Sequence, residues 1–105
     1  MEEKLEALLA SGKDAPQLRV SLAQACLARG DSDAAAGHLE RALEQDPDYT
    51  AAWKFYGRAL AEAGRDNEAR AAWQSGLEVA ERHGDRQAGR EMQVFMKRLE
   101  KRSKT

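Results

Sequence analysis

The sequence predicts an all-α fold made of repeated helix pairs. Ala, Glu, Lys, Leu and Arg supply 59 of the 105 residues, a composition typical of helices. Three Val, two Thr and no Ile leave too few branched side chains to cover a sheet, which excludes all-β and α/β folds. The second observation is an internal repeat, because residues 16–49 align without a gap on residues 50–83, an offset of 34.

The repeat preserves residue size at the positions expected to pack. Large residues align with large ones, small with small, and glycine with glycine. The aligned pairs are Leu22 with Tyr56, Ala23 with Gly57, Cys26 with Leu60, Gly30 with Gly64, Ala35 with Ala69, Leu39 with Trp73 and Ala42 with Gly76. Packing residues and turn residues therefore recur together, as they do when one structural unit is repeated.

Each unit is predicted to form a helix, a tight turn and a second helix. In the second unit, apolar or small residues recur at spacings of three and four, which places them on one helical face. For the first helix, to about Ala63, these are Trp53, Tyr56, Gly57 and Leu60; for the second, they are Ala69, Trp73, Gly76 and Leu77. Gly64 is expected to end the first helix in the left-handed conformation.

Polar residues mark the expected start of each helix. Asp14 and Asp48 precede the first helices, and Ser32 and Asp66 begin the second ones. Because their side-chain oxygens can accept from the free N–H groups of a first turn, we expect these four residues to cap their helices.

Small residues at Gly57, Ala69 and Gly76 are expected to let the two helices of the second unit approach closely. The large rings of Trp53, Tyr56 and Trp73 are then expected to fill the space beside them.

At these positions the chain resembles tetratricopeptide repeat (TPR) proteins, whose 34-residue pattern is Trp, Leu-Gly, Tyr, Ala, Phe, Ala and Pro at set places. The matching residues are Leu22-Ala23, Ala35, Leu39, Ala42 and Pro47 in the first unit and Trp53, Tyr56-Gly57, Leu60, Ala69, Trp73 and Gly76 in the second. Arg19 replaces the Trp of the first unit, and Glu81 replaces the Pro of the second. The resemblance implies a right-handed α-α superhelix of two TPR helix pairs, repeat 1 at 16–49 and repeat 2 at 50–83.

The ends are expected to complete a single domain over residues 1–105. Residues 1–12 resemble the second helix of a half-repeat, an N-terminal capping helix that carries Leu5, Leu8 and Leu9 on one face. Residues 85–103 resemble a C-terminal capping helix, which repeat arrays need to cover the last apolar face. Its expected apolar face is Ala88, Met92, Phe95, Met96 and Leu99, and its polar face is Arg86, Arg90, Lys97, Arg98 and Lys101. Its match to the period improves if one residue is inserted near His83-Gly84.

No catalytic, metal or cofactor motif is apparent, so we expect a non-enzymatic protein without a cofactor. Cys26 occupies a repeated core position and is expected to be a buried hydrophobe, whereas His38 is expected at the surface. No apolar run approaches the ~20 residues that span a membrane, and the first residues lack signal-peptide features. With a single cysteine, these features favour a cytoplasmic protein. A net charge of -1 makes nucleic acid an unlikely partner.

The family resemblance implies a concave groove, formed by the first helices of successive repeats, that binds a peptide of a partner protein. The positions carried over are Gln17, Val20, Ser21, Gln24 and Leu27 from the first unit, Ala51, Lys54, Phe55, Arg58 and Glu62 from the second, and Arg86, Arg90 and Lys97 from the last helix. Lys54 and Arg58 project from one helical face and are either partner contacts or ordinary solvated charges. Phe55 falls off the packing face, which suits an aromatic anchor for a partner.

A subgroup of the family binds chaperone C-termini through a set of Lys, Asn and Arg residues. Val20, Gln24 and Phe55 stand at three of those positions here, so chaperone-tail binding is not expected.

Charge is uneven along the chain: residues 1–48 carry a balance of -5 and residues 49–105 one of +4. The basic half suggests an acidic protein or peptide partner, or weak self-association of an otherwise monomeric chain. The alternative function is an accessory factor or subunit that acts only when its basic C-terminal helix docks on an enzyme or nucleic-acid complex.

Overall fold

The structure, a computed structural model, describes the backbone of residues 2–104 and the side chains of residues 2–102. It contains six α-helices and no strand within that range. They are α1 (Glu2–Ala10), α2 (Pro16–Ala28), α3 (Ser32–Gln45), α4 (Thr50–Glu62), α5 (Asp66–His83) and α6 (Arg86–Lys104). The all-α prediction is therefore confirmed, and α2–α3 and α4–α5 are the two predicted helix pairs.

The helices form two layers of unequal curvature. α2 contacts α4, and α4 contacts α6, so these three helices lie side by side. Among the described residues, α1, α3 and α5 have no Cα atoms within 8 Å of one another. Helices that touch lie on the shorter arc of a curved layer, and helices that splay apart lie on the longer one. The layer α2–α4–α6 is therefore the concave side, in a body of 44 × 31 × 19 Å.

The α4–α5 pair packs as the residue sizes predict. The indole of Trp73 is 2% exposed and donates from Nε1 to the carbonyl oxygen of Lys54 at 3.1 Å. A Cβ built on Gly57 would overlap that ring. On Gly76, a Cβ would fall 2.7 Å from the Cβ of Trp53. The two glycines therefore let the helices approach, and the absence of a side chain is what admits the indole.

In each pair, one glycine turn connects the two helices, and the two turns have the same geometry. Gly30 and Gly64 have φ values of 82° and 80°, in the left-handed region that glycine adopts without strain. After them, the N–H of Asp31 donates to Cys26 O, and the N–H of Arg65 donates to Leu60 O, both at 2.8 Å. This bonding closes the helix end in the Schellman arrangement. The predicted role of Gly64 is confirmed.

The predicted helix caps are mostly wrong. Asp14 pairs with Arg19, and Asp48 pairs with Arg82, while Ala15 and Tyr49 occupy the cap positions of α2 and α4 without a side-chain bond. The carboxylates of Asp14 and Asp48 each pair with a guanidinium, because a charged donor binds a carboxylate more strongly than a neutral N–H does.

The caps that do form lie one residue before the predicted positions or outside the repeats. Asp31, rather than Ser32, accepts from the N–H of Ala34 at 3.1 Å, and this bond is the main cause that lowers the pKa of Asp31. Asp66 is the first residue of α5 and binds Arg102. Asp85, just before α6, accepts from the N–H of Ala88 at 3.1 Å.

Arg19, which stands where the family pattern has Trp, is held by hydrogen bonds rather than by aromatic packing. Its Nε and Nη2 donate to the two carboxylate oxygens of Asp14 at 2.9 and 2.8 Å, and its Nη1 lies 3.1 Å from His38 Nδ1. The guanidinium holds the pKa of Asp14 well below its usual range. His38, expected at the surface, is therefore half-buried where α2 and α3 meet rather than fully exposed.

The N-terminal helix packs only in part as predicted. Leu5 and Leu9 are half-buried, but Leu8 is 43% exposed, so the expected three-leucine face is wrong at Leu8. A half-repeat has a neighbouring helix on one side only, which leaves the other flank open.

The C-terminal helix covers α5 as predicted. Met92 and Leu99 are buried at 0% and 3% exposure, and the ring of Phe95 lies 5.5 Å from that of Trp73. Gln45, where α3 ends, aligns with Val79, yet α5 continues to His83. This extra length displaces α6 from the 34-residue period.

Candidate protein-interaction surface

The α2 part of the concave layer is polar and offers little to a partner. Gln17 and Gln24 are exposed on α2, where they can donate and accept hydrogen bonds. Val20, which the family resemblance places in the groove, is 5% exposed and belongs to the core. At Gln17 and Gln24 a partner would therefore meet amide side chains, and the only predicted apolar residue of α2 that keeps accessible surface is the half-buried Leu27.

The α4 part brings together three predicted residues. The Nζ of Lys54 lies 4.9 Å from the centroid of the Phe55 ring, and the Cζ of Arg58 lies 5.9 Å from it. Both are within the range of cation–π attraction, about 6 Å. Phe55 is half-buried and packs against the core, so its ring is fixed rather than fully exposed.

Lys54 also ties α4 to α6. Its Nζ donates to Glu91 Oε2 at 2.9 Å, and the two side chains keep 22% and 35% of their surface exposed. This hydrogen bond is the main reason why the pKa of Glu91 is lowered. The Lys54 ammonium, which the sequence left open as a partner contact or a solvated charge, is thus paired within the chain. Arg58 lies 3.8 Å from Glu62 on its own helix, a longer and more exposed pair.

The sequence-based reasoning missed the most exposed apolar residue of α6. Val94 is 44% exposed, although its neighbours on the apolar face of this helix are buried or half-buried. Together with Arg90, Glu91, Phe95 and Arg98, it surrounds a depression of about 310 Å³. We call Arg90, Val94, Phe95 and Arg98 the α6 strip.

A signal for the strip is present in the sequence. Arg90, Val94 and Arg98 follow one another at intervals of four, which puts them on one helical face. From the sequence, α6 divides into an apolar face and a basic face. Val94 belongs to neither predicted face, although it lies between Arg90 and Arg98. Arg90, a predicted site residue, is exposed at one end of this strip.

The two helices share a continuous surface. Arg58 of α4 lines a second cavity together with Phe95 and Arg98 of α6, and the same Arg58 approaches Phe55. Phe55, Arg58 and the α6 strip therefore form one basic and partly apolar area, whereas Gln17 and Gln24 lie on α2 outside it.

The described part of the chain shows neither a metal-ligand cluster nor a membrane-spanning helix. No group of three or more His, Cys, Asp or Glu side chains could hold a metal ion among the residues described. Likewise, none of the helices over residues 2–104 combines the length and apolar character needed to cross a bilayer. Cys26 is a free thiol, 1% exposed, and burial raises its pKa, as expected for a core residue.

Comparison with known proteins places the chain in a family. Two models described as tetratricopeptide repeat match residues 27–88 and residues 2–49. The TPR repeat-containing protein PA0015 of Pseudomonas aeruginosa is 48% identical over 101 residues, covering 96% of each chain.

Solved structures agree with this match. The solution structure of protein BPP2914 from Bordetella parapertussis superposes with a TM-score of 0.85 at 43% identity, over 97% of this chain and 89% of that one. A tetratricopeptide repeat domain protein from Salinibacter ruber gives a TM-score of 0.76 at 28% identity, over 83% of this chain and 97% of that one. The repeat pattern, the helix pairs and these matches together show that the chain belongs to the tetratricopeptide repeat family.

Proposed function

We propose that this chain is a non-enzymatic interaction module that binds a peptide segment of a partner protein on its concave layer. Family membership supports the general part of this proposal, since TPR domains generally mediate protein–protein interaction and are typically non-enzymatic. The observation that carries the specific part is the surface formed by Phe55, Arg58 and the α6 strip.

The chemistry of that surface favours an acidic partner with apolar side chains. Val94 and Phe55 offer apolar area, and Arg58, Arg90 and Arg98 surround it with positive charge. Aromatic and arginine residues are the types that dominate binding energy at protein interfaces. Complementary charge chiefly raises the rate of encounter, whereas burial of apolar area slows dissociation.

These two contributions can be separated by mutation. Once a partner is identified by affinity capture, we expect Phe55→Ala to speed its dissociation, and Arg58→Glu to slow its association and weaken the salt dependence. Surface plasmon resonance at two salt concentrations measures both. Lys54→Glu is a poor substitute for Arg58→Glu because it places a carboxylate against Glu91. Asp33→Asn, at an exposed position of α3 in the outer layer, is the control. Unchanged kinetics in both test variants would place the binding surface elsewhere.

The alternative function uses the same helix in a different way. Arg86, Arg90, Lys97, Arg98 and Lys101 are all exposed on α6, and they would let the chain dock as an accessory subunit on an enzyme or nucleic-acid complex. In that case Lys97→Glu with Lys101→Glu should weaken binding as much as Arg58→Glu does. We also propose that the protein is cytoplasmic and either monomeric or weakly self-associating. The free buried thiol of Cys26 suits a reducing compartment.

A further inference from the structure

A cleft with an apolar floor lies between the C-terminal halves of α4 and α6. Its volume is about 300 Å³, at the low end of ligand pockets and sufficient for one large side chain rather than a whole ligand. Trp73, Phe95 and Leu99 form the floor; Trp73 and Leu99 are buried, and the Trp73 and Phe95 rings are 5.5 Å apart. Phe95 is half-buried, so its ring supplies the accessible aromatic surface of the floor, and the buried Trp73 ring packs against it.

The rim of the cleft carries three arginines that differ in their ion pairs within the chain. Arg102 donates to Asp66 at 2.6 Å, and Arg58 lies 3.8 Å from Glu62. Arg98 differs, because no carboxylate of the described residues lies within 4.0 Å of its guanidinium. The rim thus has one guanidinium that is available to a carboxylate from outside the chain.

From this arrangement we infer that the cleft takes the apolar anchor residue of an acidic partner peptide, with a neighbouring carboxylate of that peptide on Arg98. The inference rests on the proposed function and specifies its ligand chemistry. Arginine suits the carboxylate because its planar fork can donate two parallel hydrogen bonds. The aromatic floor suits a leucine or aromatic side chain, which gains most from burial.

The geometry also favours an internal segment over a chain terminus. Phe95 and Arg98 line both this cleft and the depression around Val94. A peptide anchored in the cleft therefore continues along the α6 strip toward Arg90. The distance from Arg90 to Arg98 along the helix is roughly 12 Å, which an extended peptide covers with about four residues.

Two tryptophans allow the cleft to be watched directly. Trp73 lines the cleft, whereas Trp53 lines a different depression with Tyr56 and Leu60. The ¹⁵N-labelled full chain is titrated with the capped peptide acetyl-Glu-Glu-Leu-Glu-Glu-amide, and the two indole N–H signals are followed by NMR. We expect the Trp73 signal to shift and the Trp53 signal to stay in place.

Matched peptides and variants test each part of the inference. Replacing Leu by Ala in the peptide should abolish the Trp73 shift, and replacing the four Glu by Gln should weaken binding. Arg98→Gln should raise the Kd by about fivefold, the effect of one exposed charge pair. Arg41→Gln, at an exposed arginine of α3 that lines neither cavity, should change the Kd by less than about twofold.

Several outcomes would overturn the inference. Equal binding of the Leu and Ala peptides, or shifts confined to the Phe55, Arg90 and Val94 amides, would show that the cleft takes no anchor while leaving the proposed surface in use. Binding of acetyl-Gln-Gln-Leu with a free C-terminus, in preference to the acidic peptide, would assign the cleft to a chain terminus. Absence of any shift at about 1 mM peptide would also refute it. The proposed function is tested separately by partner capture with Phe55→Ala and Arg58→Glu. Loss of capture in both variants supports it, and unchanged capture in both contradicts it.

Discussion

The indole ring of Trp73 occupies the space that a side chain at Gly57 would fill, and its Nε1 donates to the backbone oxygen of Lys54. One ring thus fixes the separation of α4 and α5 and binds the helix that carries Phe55 and Arg58. Packing in the second repeat is therefore directly coupled to the proposed binding surface.

Gly57→Ala should destabilise the protein although alanine is the better helix former. The new methyl group would overlap the indole, and overpacking costs about 1–3 kcal/mol, more than the roughly 1 kcal/mol gained in helix propensity. Gly37→Ala is the matched control because Gly37 is exposed within α3 and a Cβ there meets nothing within 4 Å. Thermal unfolding followed by circular dichroism should show a lower Tm for the first variant and an unchanged or higher one for the second.

Trp73→Ala should cost about 3–5 kcal/mol, the range for removing a large buried aromatic side chain. The same change should make Gly57→Ala harmless, because the ring that excludes the methyl group is gone. The double variant is therefore expected to be at least as stable as Trp73→Ala alone in urea unfolding. Additive losses would show that the two residues do not compete for one space.

The sequence predicts the packing of Trp73 against Gly57 well because the contacts within a repeat are local and periodic. Leu39 and Trp73, or Gly30 and Gly64, lie one period apart, so each position is observed twice. Helix caps were predicted poorly for the opposite reason. Asp14 and Asp48 are equivalent in the alignment, yet Asp14 pairs with Arg19, five residues later, and Asp48 pairs with Arg82, 34 residues later. The repeat does not encode these different partners.

The candidate site shows the same division. Spacing within α4 correctly grouped Lys54, Phe55 and Arg58, which lie within about one turn of each other. The Lys54–Glu91 pair and the exposure of Val94 depend on how α6 sits on α4, after a longer α5 has shifted the period. Such placement comes from contacts between helices and not from the spacing within either one.

His38 should make stability decrease in mild acid. Burial, and then the charge of Arg19, lower the pKa of His38 below its ordinary value of 6.5, with Glu6 acting in the opposite sense. The folded chain therefore binds fewer protons than the unfolded chain. Stability is fully present above about pH 6.5 and is lost as pH falls through the folded pKa.

The measurement is the difference in Tm between about pH 7.5 and about pH 5, which should be smaller for His38→Gln than for the unmutated chain. His83→Gln is the matched control because it removes an exposed imidazole at the end of α5. An equal loss of Tm in the unmutated chain and in His38→Gln would contradict the assignment.

Removal of residues 85–105 should make the remaining chain aggregate or lose most of its helical signal. Met92 covers α5 at Gly76, Phe95 packs on the indole of Trp73, and Leu99 is buried beside them. Without that cover, a short repeat array lacks one of its few stabilising interfaces. Light scattering and circular dichroism of the truncated chain provide the check. A soluble, cooperatively folding product would mean that α6 is an appendage rather than a cap.

The central claim is that a partner protein binds the surface formed by α4 and α6, and photo-crosslinking in the source cells tests it most directly. A benzophenone amino acid is placed at Val94, at the centre of the α6 strip, or at Gln74, an exposed position of α5 in the outer layer. We expect a discrete crosslinked adduct from position 94 that disappears when Arg58→Glu is added, and none from position 74. Adducts from position 74 without any from position 94 would contradict the account.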